Sequence, residues 1–192
     1  TIDNILLIEE YPIEMVTHVR KDWPELIPIL NKVIAVLQQD ELPRINNKWF
    51  GQWPQQFTKA PGIHLTSDEK AWIEANPILR IGLAGNSLPL SSFDKKGKPY
   101  GMVADYFQTL RDDIGFDYEF VPLTFPEILT AARERKIDLF AGLPTLERKE
   151  YVFFSAPLFS IPYVIITRQE MPFIHGINLL HGKKVSVIRD IA

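Results

Sequence analysis

The sequence predicts an α/β fold with a mainly parallel sheet flanked by helices, and three observations carry that prediction. Leu79 to Ala84 and Ile137 to Leu143 are short apolar runs of the kind that fill buried strands, and Phe116, Tyr118 and Phe120 alternate as a third. Val103, Tyr106, Phe107, Leu110 and Ile114 recur at helical spacing between the first two strands. Thr124 and Glu127 form a capping pair for a second helix with Ile128, Leu129 and Ala132 inward. Strand, helix, strand, helix, strand is the order that builds a parallel sheet covered on its faces.

The remaining elements follow in chain order. Residues 13 to 20 alternate loosely as a strand, and Asp22 with Glu25 around Pro24 reads as the start of a helix. Its apolar positions Leu26, Ile27, Ile29, Leu30, Val33, Ile34 and Leu37 make a face broad enough to lie on a sheet. A short helix carrying Ile45, Trp49 and Phe50 ends at Gly51. Gln52 to Leu65, rich in Pro, Gln, Gly and Lys, reads as a connector. Thr66 and Glu69 cap a further short helix that Asn76-Pro77 terminates. Asp94 to Gly97 is a turn between two extended pieces, and Gly115 suits the left-handed position that closes a helix. Residues 162 to 168 supply one more strand.

Composition narrows the function. A chain of 192 residues with net charge −3 and its basic groups interspersed among acids has no basic face for phosphates, so nucleic acid is not an expected partner. With no cysteine there is neither a disulfide nor a thiolate metal site. His18, His64, His175 and His181 stand far apart, which predicts solvated or singly bonded histidines and no metal site. No apolar run reaches the roughly 18 residues of a membrane span, and Thr1 does not begin a basic-then-apolar leader. There is no Gly-x-Ser-x-Gly elbow, phosphate-binding glycine loop or His-Glu-x-x-His, so the chain is expected to be non-catalytic and to need no cofactor.

Two stretches resemble opposite ends of one family. Leu79 onward, with Asp138-Leu-Phe-Ala-Gly-Leu-Pro-Thr-Leu-Glu-Arg148 and Phe154-Ser-Ala-Pro157, resembles the opening half of a family 3 extracellular solute-binding protein, the two-lobed clamp of the periplasmic-binding-protein (Venus flytrap) fold. Val19-Arg-Lys-Asp-Trp-Pro-Glu-Leu26, the long helix after it and Asn47-Lys-Trp-Phe-Gly51 resemble the closing segment of such a domain. Leu65 to Pro77 is similar to the short helix joining tandem domains in the periplasmic sensors of transmembrane histidine kinases. The resemblance therefore implies four parts: 1–51, the closing lobe-one segment of a preceding domain; 52–78, a connector; 79–170, the lobe-one opening of a following domain; and 171–192, the start of an incomplete second lobe, with Gly182 to Ile188 its first strand. Since both ends of a domain belong to lobe one in this family, residues 1–51 are expected to pack on 79–143, within one chain or by exchange in a dimer.

The resemblance also implies a site. Arg148, in Glu-Arg-Lys-x5-Ser-x-Pro, matches the family's carboxylate-binding arginine, whose planar fork donates two parallel charge-assisted bonds; the alternative is an exposed arginine bridging Glu147 or Glu150. Phe125 matches an aromatic that stacks on the ligand, although a phenylalanine at a helix start also serves as core. Thr145 either caps the turn before Arg148 or bonds the ligand, capping being the ordinary role. Ser87 and Ser91, with Asn86 and Ser92, are further polar groups nearby. Leu143 and Leu88 stand where the family often has a hydroxyl and a tyrosine, and these departures argue against a free amino acid.

The implied partner is a small polar solute, an amino acid or other carboxylate, and the implied location is the periplasmic part of a membrane-anchored receptor that signals by lobe closure. Three alternatives stay open: the free carrier of a transport system, a ligand-free structural module, and the non-catalytic front domain of a transglycosylase.

Overall fold

The computed structural model describes residues 2–39, 41–51 and 62–186. Its elements are β1 (Ile2–Arg20), α1 (Leu26–Leu37), α2 (Glu41–Phe50), α3 (Ser67–Ala75), β2 (Ile78–Ala84), β3 (Ser92–Phe93), β4 (Pro99–Tyr100), α4 (Met102–Ile114), β5 (Asp117–Leu123), α5 (Phe125–Arg133), β6 (Leu139–Gly142) and β7 (Val152–Arg168). A single 3₁₀ turn spans Arg148–Glu150 and another Ile177–Leu180.

Five strands form one mixed sheet in the order β5-β2-β6-β1-β7. Two of its pairings are parallel, as the strand-helix-strand-helix-strand order leads one to expect, β2 with β5 and β2 with β6. β1 then enters antiparallel to β6, with Val16 opposite Gly142 and Val19 opposite Leu139. β7 pairs antiparallel with β1 along most of its length. The strand expected at 162–168 is thus the far end of a 17-residue edge strand. Among the described residues β7 has no partner on its outer side, the edge position at which a strand tolerates a proline such as Pro157.

Helices cover both faces. On one, Leu26, Ile29, Leu30, Val33, Ile34 and Leu37 of α1 share a buried cluster with Val19, Leu79, Ile81, Leu83 and Tyr106, Phe107 and Leu110 of α4. Burying each large aliphatic side chain stabilises by about 1.5–3 kcal/mol, so this face holds much of the chain's stability. On the other, Ile128, Ala131 and Ala132 of α5 pack on Ile137, Phe140 and Val152. Residues 1–51 therefore complete the sheet of 79–143 within one chain, through the described β1 and α1. α3 leans on the same segment: Lys32 bridges Glu69 at 2.7 Å, and Trp23 meets Trp72 edge-on at 5.3 Å.

Local signals fared unevenly. The capping boxes at Thr66/Glu69 and Thr124/Glu127 form as read, and Gly115 ends α4 at φ +85°. The Asp22/Glu25 pair does not cap: α1 has Glu25 at its N-cap without a side-chain bond. The Asp22 carboxylate instead takes Nε and Nη2 of Arg20 at 2.8 and 2.7 Å, a charge-assisted pair that outcompetes a neutral backbone donor. Gly182 to Ser186 form no strand; Val187 and Ile188, like connector residues 52–61, lie outside the described residues.

Candidate functional site

The carboxyl ends of β2, β5 and β6 lie together, with Ala84 opposite Leu123 and Gly82 opposite Phe140. Loops leaving that edge of a parallel sheet are where α/β folds place their ligands. Three such loops carry the residues of interest: 85–91 after β2, the β5–α5 junction, and 143–151 after β6.

Arg148 sits in the third loop and is 4% exposed. Thr145 Oγ1 accepts from its backbone N–H at 3.2 Å, so Thr145 caps the turn. The guanidinium Nη1 donates to the Leu143 carbonyl at 2.7 Å, and Cζ lies 5.1 Å from the centre of the Phe125 ring. Phe125, half-buried at the first position of α5, thus supports the guanidinium face. Burial pulls the Arg148 pKa down, with nearby Tyr151 and Glu147 acting the other way. It nevertheless stays charged. Among the described residues no ion pair includes Arg148; Glu147 turns to Arg133. A buried cation without a counter-ion in hydrogen-bonding reach is costly.

Ser87 and Ser91 lie on the neighbouring loop and bond each other. Ser87 N–H donates to the Ser91 carbonyl at 2.9 Å, and the Ser91 hydroxyl donates to the Ala84 carbonyl at 2.6 Å. Their hydrogen bonds close a turn, and none of these joins them to Arg148. Gly101 (φ +122°) lets this turn approach: a Cβ there would stand 2.6 Å from the Leu90 carbonyl oxygen. Leu88 is exposed at the tip. Leu143 contributes its carbonyl where a hydroxyl side chain was looked for.

His18 is the residue that sequence reading missed. It comes from β1, 125 positions before Leu143, yet its Nε2 lies 3.0 Å from the Leu143 oxygen that Arg148 also engages. Its fully buried ring stacks on Phe140 at 4.2 Å and meets Phe154 edge-on at 4.9 Å. Of the two expectations, solvated or singly bonded, full burial removes the first for His18, and the antiparallel insertion of β1 beside β6 reveals which bond it makes. The period-2 pattern of residues 13–20 does place His18 on one face and Thr17 and Val19 on the other.

Burial first, then the Arg148 charge, push the His18 pKa from 6.5 down to about 4. The unfolded chain therefore binds a proton that the folded chain refuses between those values. Stability is complete above pH 6.5 and is lost as pH falls toward 4, by about 3 kcal/mol. Urea titrations across that range should show this slope, and His18→Phe should flatten it.

Comparison with known proteins gives the arrangement its family. The sequence model of the bacterial extracellular solute-binding proteins, family 3, matches residues 79–188. The virulence sensor protein BvgS of Bordetella pertussis is 23% identical over 177 residues, 91% of this chain and 14% of that protein. The sensor protein EvgS of Escherichia coli K12 is 24% identical over 154 residues, 78% of this chain and 13% of that protein. The chain thus spans about one seventh of the length of these relatives. The crystal structure of the B. pertussis BvgS periplasmic domain superposes on 40% of this chain and 15% of its own, at 19% identity and a TM-score of 0.39. With more than half its length matched, this chain belongs to the bacterial extracellular solute-binding proteins, family 3.

Proposed function

We propose that this chain is part of the periplasmic sensing region of a tandem-domain transmembrane receptor of the sensor histidine kinase type, and that Arg148 anchors a small carboxylate-bearing solute. The observation that carries the solute reading is the buried Arg148 guanidinium, set over Phe125 with no carboxylate partner among the described residues. The sensor reading is supported by the alignment with BvgS, which runs through 91% of the chain and so crosses both segments and the connector. A transport carrier of a single domain would not need that order. In this reading residues 1–51 close a preceding domain, 79–170 open a following one and 171–192 begin its second lobe. Solute binding shifts the populations of open and closed lobes, and the shift passes to a cytoplasmic output. The chain itself performs no covalent chemistry.

One observation favours a second reading. Arg148 already donates to the Leu143 carbonyl, as it would in a ligand-free structural module.

Thermal denaturation of the parent's complete second domain against a panel of amino acids and other carboxylates separates the two. A solute at a hundred times its dissociation constant should add about 2.7 kcal/mol of stability, and Arg148→Ala should abolish the gain. No shift with any solute would favour the structural module.

A further inference from the structure

We propose that His18 is a positioning residue of the Arg148 site, acting through the carbonyl it shares with the guanidinium. The Leu143 oxygen takes Arg148 Nη1 at 2.7 Å and His18 Nε2 at 3.0 Å, so both of its lone pairs are engaged. His18 Nδ1 is buried with no hydrogen-bond partner. The Leu143 carbonyl can only accept, which assigns the N–H to Nε2 and makes His18 the donor.

The ring cannot turn away easily. Phe140 lies 4.2 Å from it on one side and Phe154 4.9 Å on another. Gly142 leaves it room: a Cβ there would stand 3.2 Å from His18 Cε1. Held from β1, the Leu143 carbonyl presents a fixed acceptor that fastens one arm of the guanidinium. Nε and Nη2 have no partner among the described residues and remain for a carboxylate, which takes a two-point grip from a fork that does not rotate. The neutral ring adds no second cation, so the selectivity for one negative head group rests on Arg148 alone. A residue of the first segment thereby sets the geometry of a site built by the second.

The consequence for solute affinity rests on the reading of Arg148 as anchor, whereas the positioning itself does not. ¹⁵N NMR of this chain at neutral pH tests both, with acetate as the carboxylate probe. The expected spectrum shows His18 as the Nε2–H tautomer and separate Nη1 and Nη2 resonances for Arg148, indicating hindered rotation. In His18→Phe the two should merge and acetate should bind roughly tenfold more weakly, the effect of one lost hydrogen bond. His18→Gln, whose amide can donate to the same carbonyl, should restore both signatures.

An Nδ1–H tautomer in the unmodified chain would overturn the proposal whether or not either variant folds. So would an Arg148 pattern unchanged in His18→Phe. Acetate failing to bind the parent's complete second domain while the Arg148 pattern still responds to His18 would sink the solute reading and leave the positioning role standing.

Discussion

Leu30→Ala should destabilise the chain by about 2–5 kcal/mol, the range for deleting a buried leucine side chain. Leu30 is fully buried on α1 and belongs to the cluster that holds Leu79, Ile81 and Leu83 of β2 and Phe107 of α4. The cavity would open between the segment before the connector and the sheet after it. Neighbouring backbone, fixed on one side by β1 and on the other by α4, has little freedom to collapse into the space. The loss should therefore appear as one cooperative transition shifted to lower denaturant, with circular dichroism and tryptophan fluorescence moving together. If α1 instead packed as a separate unit, the variant would give an early partial transition and leave the sheet unmoved.

Asp138→Ala should cost a comparable amount, about 3 kcal/mol, for an electrostatic reason. The Asp138 side chain is 1% exposed and stands where β1, β2 and β6 meet. It accepts Nη1 of Arg20 at 2.9 Å, the backbone N–H of Arg80 at 2.8 Å, and Nε and Nη2 of Arg80 at 3.0 and 2.7 Å. Burial alone would raise its pKa, but the Arg80 and Arg20 bonds outweigh it and hold the carboxyl below its ordinary 3.8. Its contribution is accordingly present above pH 3.8 and lost as pH falls through the lower, folded value. Removing the carboxylate leaves two guanidiniums facing each other and the Arg80 N–H unpaired. Asp138→Asn keeps the shape but turns an amide toward cations, so it should recover only part of the loss in urea titrations at pH 7.

The sequence carried the local elements well where one physical cause dominates. The 3.6-residue period of Val103 to Ile114 and the capping boxes at Thr66 and Thr124 needed no tertiary information. The strands β2 and β6 were legible because short apolar runs between helices have few other uses, and β5 because Phe116, Tyr118 and Phe120 alternate. What stayed hidden depends on register and partner. Val152 to Leu158 holds a proline and two adjacent phenylalanines, so β7 shows no alternation, and only pairing with β1 makes it a strand. Asp22 looked like a cap because spacing cannot reveal that Arg20 offers a charged donor. The packing of residues 1–51 on 79–143 followed from family resemblance, not from periodicity.

The site divides in the same way. Arg148 and Thr145 stand in one motif-bearing stretch and Phe125 was implied by the resemblance alone; the structure sets Thr145 and Phe125 against Arg148. Ser87 and Ser91 are bonded within their own turn. His18 lies far upstream and has no motif, so its place beside Leu143 emerges only when β1 slides between β6 and β7.

Native-state hydrogen exchange on β1 tests most directly whether two segments make one lobe. The account predicts that the amides of Thr17 and Val19 exchange only through global unfolding, with the same free energy as those of Ile81 in β2 and Phe140 in β6. Exchange at Thr17 and Val19 through an opening several kcal/mol cheaper than that of Ile81 would contradict it, and would leave Arg148 without the strand that frames its site.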